Sequence, residues 1–295
     1  MTRPMTNPLR VSLIAITVAL LITTFLQGTM QGRILVARLI APSLDSVELL
    51  GMQTVRRAAP APMIERARTD LTVLPRPEGA ARRYAPQPGQ GDGFRTRSGL
   101  RWWGAAPERA DAMPAVLLLH AEGQDGRSMI DMWHEVAMTE GLVLIAPDLV
   151  VARDGVRPYD ARIAVEALAQ AREIYRIDGS RVALFGHGAG AAAAQLWANR
   201  IDGPWRAVAA HGATVPTDLP QPVERGAPLR LYLGGAHPGE PMGRALARMT
   251  ALARAGHAVE LIRMRGHDDW FYDVGERVAA DVWPWLAARM DEDER

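Results

Sequence analysis

Six short apolar runs, each separated from the next by a stretch long enough for a helix or a loop, constrain this chain more than any other feature. VLLLH (116–120), LVLIAP (142–147), RVALFG (181–186), RAVAAHG (206–212), LRLYLGG (229–235) and AVELIRM (258–264) read as strands. Helices are expected over 127–140, 159–175, 189–199, 241–255 and 275–290. The first strand runs are apolar without alternation, so both faces of each strand must be covered. Strands alternating with helices at this spacing imply an α/β domain with a mostly parallel sheet and helices on both faces. In such sheets ligands bind beyond the carboxyl ends of the strands, so the residues that follow each run carry the functional argument.

The residues before this region have a different character. No charged side chain occurs between Arg10 and Arg33, and the 22 residues 11–32 include VSLIAITVALLITTFL. At ~1.5 Å per residue such a helix spans roughly 33 Å, enough to cross a bilayer core. We read residues 1–32 as an N-terminal membrane anchor; the competing reading is a cleaved signal peptide behind the basic head Arg3 and Arg10. Residues 33–97 are expected to form a Pro/Arg-rich juxtamembrane tether, interrupted by Pro60, Pro62, Pro75, Pro77, Pro86 and Pro88. Residues 98–295 are expected to form the folded domain. The expected location is a bacterial inner membrane, crossed once, with the folded part on the periplasmic side.

Composition narrows the chemistry. There is no Cys, which excludes disulfide scaffolds, zinc-thiolate sites, iron–sulfur clusters and a cysteine nucleophile. All 34 basic residues are Arg, which points to a GC-rich bacterial coding style more than to a function. From Gly51 to Arg97 nine Arg face only four acidic residues, so the positive charge sits in the tether and the folded part is acidic. Nucleic acid is therefore not an expected partner. The expected partners are membrane lipid, through the N-terminal helix, and a membrane protein.

The strand run RVALF leads directly into GHGAG (186–190), which opens an Ala-rich helix. Strand, sharp turn and helix with small residues at these spacings make the pattern of a nucleophile elbow, GxSxG. Gly188 stands at its centre, so the turn is kept and the side chain is missing.

With VLLLHAEGQDGRSMIDMW, EGLVLIAPD, RVALFGHGAG, LGGAHPGEP and RGHDDW in this order, the region from about Gly99 to Leu286 resembles the α/β-hydrolase superfamily. Within it the chain is similar to esterases resembling poly(3-hydroxybutyrate) depolymerases and dienelactone hydrolases. The resemblance implies a triad in the order nucleophile, acid, His. It puts Gly188 at the nucleophile position, His237 at the acid position and His267, in RGHDDW, at the position of the general base. Glu240, with a remodelled loop, and Asp268 are the candidates to replace the missing acid. The resemblance also implies an oxyanion hole from Ala121, Glu122 and the residue after the elbow, Ala189. A carboxylate such as Glu122 near a developing oxyanion would oppose catalysis. Ser128 is the serine of GQDGRSM, away from the elbow.

Five histidines, His120, His187, His211, His237 and His267, fall at or just beyond expected strand ends. With Glu122 or Asp148 nearby they offer imidazole and carboxylate ligands for a divalent metal. The competing reading is that His120, His187 and His267 stand where hydrolases of this type often carry His, and no cofactor is then expected. The reading taken forward is a membrane-anchored protein with an α/β-hydrolase fold and a degenerate catalytic site, used for binding or scaffolding. The alternatives are an esterase with a non-standard nucleophile and an accessory structural subunit of a membrane complex.

Overall fold

The computed structural model describes residues 63–68, 84–149, 160, 162–201, 203–215, 217, 220–234 and 242–292, with side chains from Tyr84 onward. The expected membrane segment 11–32, His237 and Glu240 lie outside the described residues. Among the described residues no helix is long and apolar enough to cross a membrane.

One sheet organises the chain. Its strands are β1 (Met63–Arg68), β2 (Asp92–Arg95), β3 (Arg101–Ala105), β4 (Met113–Leu119), β5 (Val143–Pro147), β6 (Ile177–His187), β7 (Trp205–His211), β8 (Gly226–Gly234) and β9 (His257–Met264). They lie in the order β1-β9-β8-β7-β6-β4-β5-β3-β2. All pairings are parallel except β2 with β3 and β3 with β5. Strands β1 and β2 come from the segment expected to be a tether, so the sheet draws on that segment at both of its edges. The prolines that suggested an extended tether precede β1 in the sequence (Pro60, Pro62) or fall between β1 and β2 (Pro75, Pro77, Pro86, Pro88), none of them inside either strand. An edge strand must pair on one side only, and charged residues such as those of MIERAR suit that position.

The helices are α1 (Gly126–Glu140), α2 (Arg162–Ile174), α3 (Ala189–Arg200), α4 (Met242–Arg254) and α5 (Gly275–Asp291). Leu117, Leu119 and Leu184 pack on the side of α2, α3 and α4. Val116, Leu118, Ala183 and Phe185 pack on the side of α1 and α5. The central strands are thus buried on both faces, which is why they read as unbroken apolar runs. Trp102, fully buried and stacked on Phe94 at 4.5 Å, is a packing residue, and its indole donates to Gln170 at 2.6 Å. Trp283 and Trp285 fix α5: one donates to Glu140 at 3.2 Å and the other lies beneath Arg230 at 4.8 Å.

The crossover order matters for function. From β4 the chain passes to β5 on one side, returns over the sheet to β6 on the other, and then moves outward through β7, β8 and β9. The segments after β4 and after β6 therefore face each other at the point where the strand order reverses, where a cleft is built by topology alone.

Candidate functional site

Strand β6 ends at His187, and α3 begins at Ala189, leaving Gly188 alone to make the turn. Gly188 has φ 55° and ψ −121°, a conformation that L side chains rarely adopt. Its N–H donates to the His211 carbonyl at 3.0 Å, and its carbonyl accepts from Ala191 at 3.0 Å, so the turn is fixed at both ends. The flanking glycines have a separate cause. A Cβ on Gly186 would come within 2.2 Å of the Gly190 carbonyl oxygen, and one on Gly190 within 2.2 Å of that of Leu119. Helix α3 therefore starts with its backbone against the backbones of β6 and β4. A Cβ on Gly188 would meet the Cβ of Ala121 at 2.9 Å, closer than real Cβ atoms come. The apex is thus empty of a side chain, and its neighbour across the cleft occupies the approach to it.

Three imidazoles converge beside this turn. His187 Nδ1 is 3.1 Å from His211 Nδ1, and His211 Nε2 is 2.9 Å from His267 Nε2. All three are buried. Phe271 packs against the row, stacked on His187 at 4.9 Å and tilted to His211 at 5.1 Å. Burial pushes the pKa of His187 down to about 3, which keeps that ring neutral. His267 stands after β9, where Gly266 at φ 75° turns the chain inward. Its Nε2 faces His211.

Asp269 completes the group. It is the one non-glycine residue with positive φ, 66°, among the described residues, and it is buried. Its Oδ1 accepts from the Gly234 N–H at 2.5 Å, so a carboxylate from the β9 loop is held against the carboxyl end of β8. His211, His267 and Asp269 each bring a ligand atom within 4.8 Å of the others. Sequence reasoning weighed Asp268 and missed Asp269, because adjacent carboxylates look alike until the backbone reversal decides which one turns inward. Asp268 instead accepts from the Trp270 N–H at 3.1 Å.

The other expected site residues have different roles. His120 does not join the metal cluster expected from the sequence: its Nδ1 donates to the Ala121 carbonyl at 2.7 Å, and its Nε2 accepts from the Leu149 N–H at 2.7 Å. Both ring nitrogens are used, and the ring ties the end of β4 to the segment after β5. Glu122 is exposed. Asp148 is a helix-end and loop contact, accepting from the first N–H of α1, Gly126, at 2.8 Å and pairing with Arg101. Ser128 is buried in the first turn of α1, where its hydroxyl donates to the Asp125 carbonyl at 2.7 Å and accepts from Tyr272 at 2.8 Å. The N-cap of α1 is Asp125, whose side chain accepts from the Ser128 N–H at 3.1 Å. Two cavities of about 390 and 410 Å³ flank α1 and α5, and none of Gly188, His187, His211 or His267 lines either of them.

This mostly parallel sheet with its covering helices is matched among solved structures. A protein assigned as a dienelactone hydrolase from Klebsiella pneumoniae superposes with a TM-score of 0.52 at 17% identity, covering 68% of this chain and 98% of that one. Esterase 2 of Thermogutta terrifontis, in its apo form, gives 0.56 at 17% identity, covering 72% and 97%. An S-formylglutathione hydrolase from Agrobacterium tumefaciens gives 0.55 at 14% identity, covering 71% and 98%. The fold is that of the α/β-hydrolases. No family model matches the chain, and no curated protein matches it in sequence. In this chain Gly188 makes the turn from β6 into α3, and His267 lies in the loop after β9.

Proposed function

We propose that this chain is a pseudo-hydrolase: a protein that keeps the α/β-hydrolase fold and uses the carboxyl edge of its sheet for binding in place of serine acyl transfer. The observation that carries the reading is the elbow apex, where Gly188 offers no nucleophile and the Ala121 methyl group stands 2.9 Å from where a Cβ would be. Acyl transfer through this elbow needs an oxygen or sulfur at that point, and loss of a triad nucleophile costs on the order of 10⁶ in turnover. The residue proposed for the base, His267, directs Nε2 to His211, consistent with a site no longer organised around an attacking hydroxyl. Residues 11–32 are proposed to anchor the protein in a bacterial inner membrane, with membrane lipid and a membrane protein as partners.

The test is hydrolysis of short and medium chain p-nitrophenyl esters by the full chain beside Gly188→Ser, Ala121→Gly and the double variant. The wild type and both single variants are expected to stay at the buffer rate. The double variant, with a nucleophile and room for it, is the one expected to gain turnover. Wild-type turnover well above buffer would overturn the reading in favour of ester hydrolysis with a non-standard nucleophile. That second reading is supported by the solved structures of the same fold, which are named as esterases and hydrolases.

A further inference from the structure

We propose that His211, His267 and Asp269 form a binding site for one divalent first-row transition-metal ion, with Nε2 of each imidazole and a carboxylate oxygen as ligands. This does not rest on the pseudo-hydrolase reading, because none of the three supplies the elbow apex.

Chemistry and spacing both point to a metal. Two imidazole nitrogens that face each other at 2.9 Å can share a proton or a cation. The buried Asp269 carboxylate beside them makes two imidazole nitrogens and one carboxylate oxygen, a donor set that such ions take. A separation of 2.9 Å is that of a hydrogen-bonded pair, so an ion taken at this point replaces the shared proton. Imidazole and carboxylate donors suit divalent ions such as Fe²⁺, Mn²⁺, Co²⁺, Ni²⁺ and Zn²⁺.

The ligands are also oriented from behind, as metal ligands characteristically are. His211 turns Nδ1 to His187 Nδ1 at 3.1 Å, which orients its Nε2 toward His267. The Gly234 N–H holds the Asp269 carboxylate through Oδ1 at 2.5 Å. Asp269 adopts φ 66° to bring its side chain inward, a backbone conformation that is unfavourable unless its surroundings enforce it. The three ligands come from the ends of β7 and β9, with the end of β8 between them, at the edge of the sheet where ligands bind in this class of fold.

The experiment uses the full chain, purified without a histidine tag. After stripping with chelator it is dialysed against Co²⁺, with bound metal counted by mass spectrometry and coordination read from the Co²⁺ visible spectrum. One equivalent, with a Co²⁺ spectrum that differs from that of the free ion, is expected. Asp269→Asn and His211→Ala are expected to weaken binding at least tenfold, and His187→Phe, which removes the outer support, by about tenfold. His134→Ala and Asp268→Asn should bind like wild type. Absence of stoichiometric Co²⁺, or equal binding by wild type and Asp269→Asn, would overturn the site. Asp269→Asn keeps the size of the side chain, so it carries the test if His211→Ala does not fold, as judged by circular dichroism. Ester turnover is not a readout here, so failure of this site and failure of the pseudo-hydrolase reading remain separate.

Discussion

Two sets of buried histidines in this protein are built on opposite plans. His257, at the start of β9, donates from Nδ1 to the Ala227 carbonyl at 2.8 Å and pairs through Nε2 with the Asn199 amide at 3.1 Å, while its ring covers Gly226. His120 is braced in the same way between two backbone groups. Each of these rings has a defined tautomer and two polar partners of a different kind, as a structural group should. In the row His187, His211, His267 the imidazoles turn to one another instead, next to a carboxylate held in a disfavoured backbone conformation. The first plan spends its nitrogens on the fold. The second turns imidazole nitrogens toward one another beside a carboxylate at the edge of the sheet, an arrangement that suits a ligand.

The comparison is open to attack by mutation. His257→Ala removes a buried ring and its hydrogen bond to the Ala227 carbonyl, while the Asn199 amide keeps its bonds to Gln221, so urea unfolding should show the largest loss, about 3 kcal/mol, with Co²⁺ binding unchanged. His120→Ala should cost about 2 kcal/mol by the same measurement, mainly because the Leu149 N–H loses its acceptor. Next comes acid. Burial pushes the pKa of His120 and of His257 below the ordinary 6.5. Above that value both states hold these rings neutral and stability does not depend on them; below it the unfolded chain takes up protons that the folded chain refuses. Stability should therefore fall as pH drops below 6.5, by up to about 1.4 kcal/mol per pH unit for each histidine, and flatten once the lowered folded values are passed. His257→Ala should remove one share of that slope. The smallest effect is expected for metal-free His187→Phe, about 1 kcal/mol, because a phenyl ring can keep the stacking on Phe271 and the lost contacts are those of Nδ1 to the His211 ring and, at 3.4 Å, to its carbonyl. A loss as large as that of His257→Ala would show that the row is a structural device and would erase the distinction between the two sets.

The elbow and the histidine row also differ in how far they could be read from the chain. GHGAG announces its turn because each glycine answers a local demand: Gly186 and Gly190 permit backbone contact, and Gly188 permits φ 55°. Asp269 gives no such signal. Its selection over Asp268 depends on the turn after Gly266 and on the Gly234 N–H, which lies 35 residues away in sequence. His120 sits at a strand end like His187 and His211, yet the distance between β4 and the segment after β5 turns it into a brace.

The sequence by itself determined the alternation of strands and helices, the parallel sheet and the identity of the elbow, since these follow from apolar periodicity and from short-range sterics. Tertiary structure alone decided that segments 63–68 and 92–95 would close the two edges of the sheet, because pairing partners of an edge strand are chosen across the fold. It also decided which histidines share a site. Imidazole is equally able to brace a backbone or hold an ion, and only the spacing between the ends of β4, β6, β7 and β9 separates the two uses.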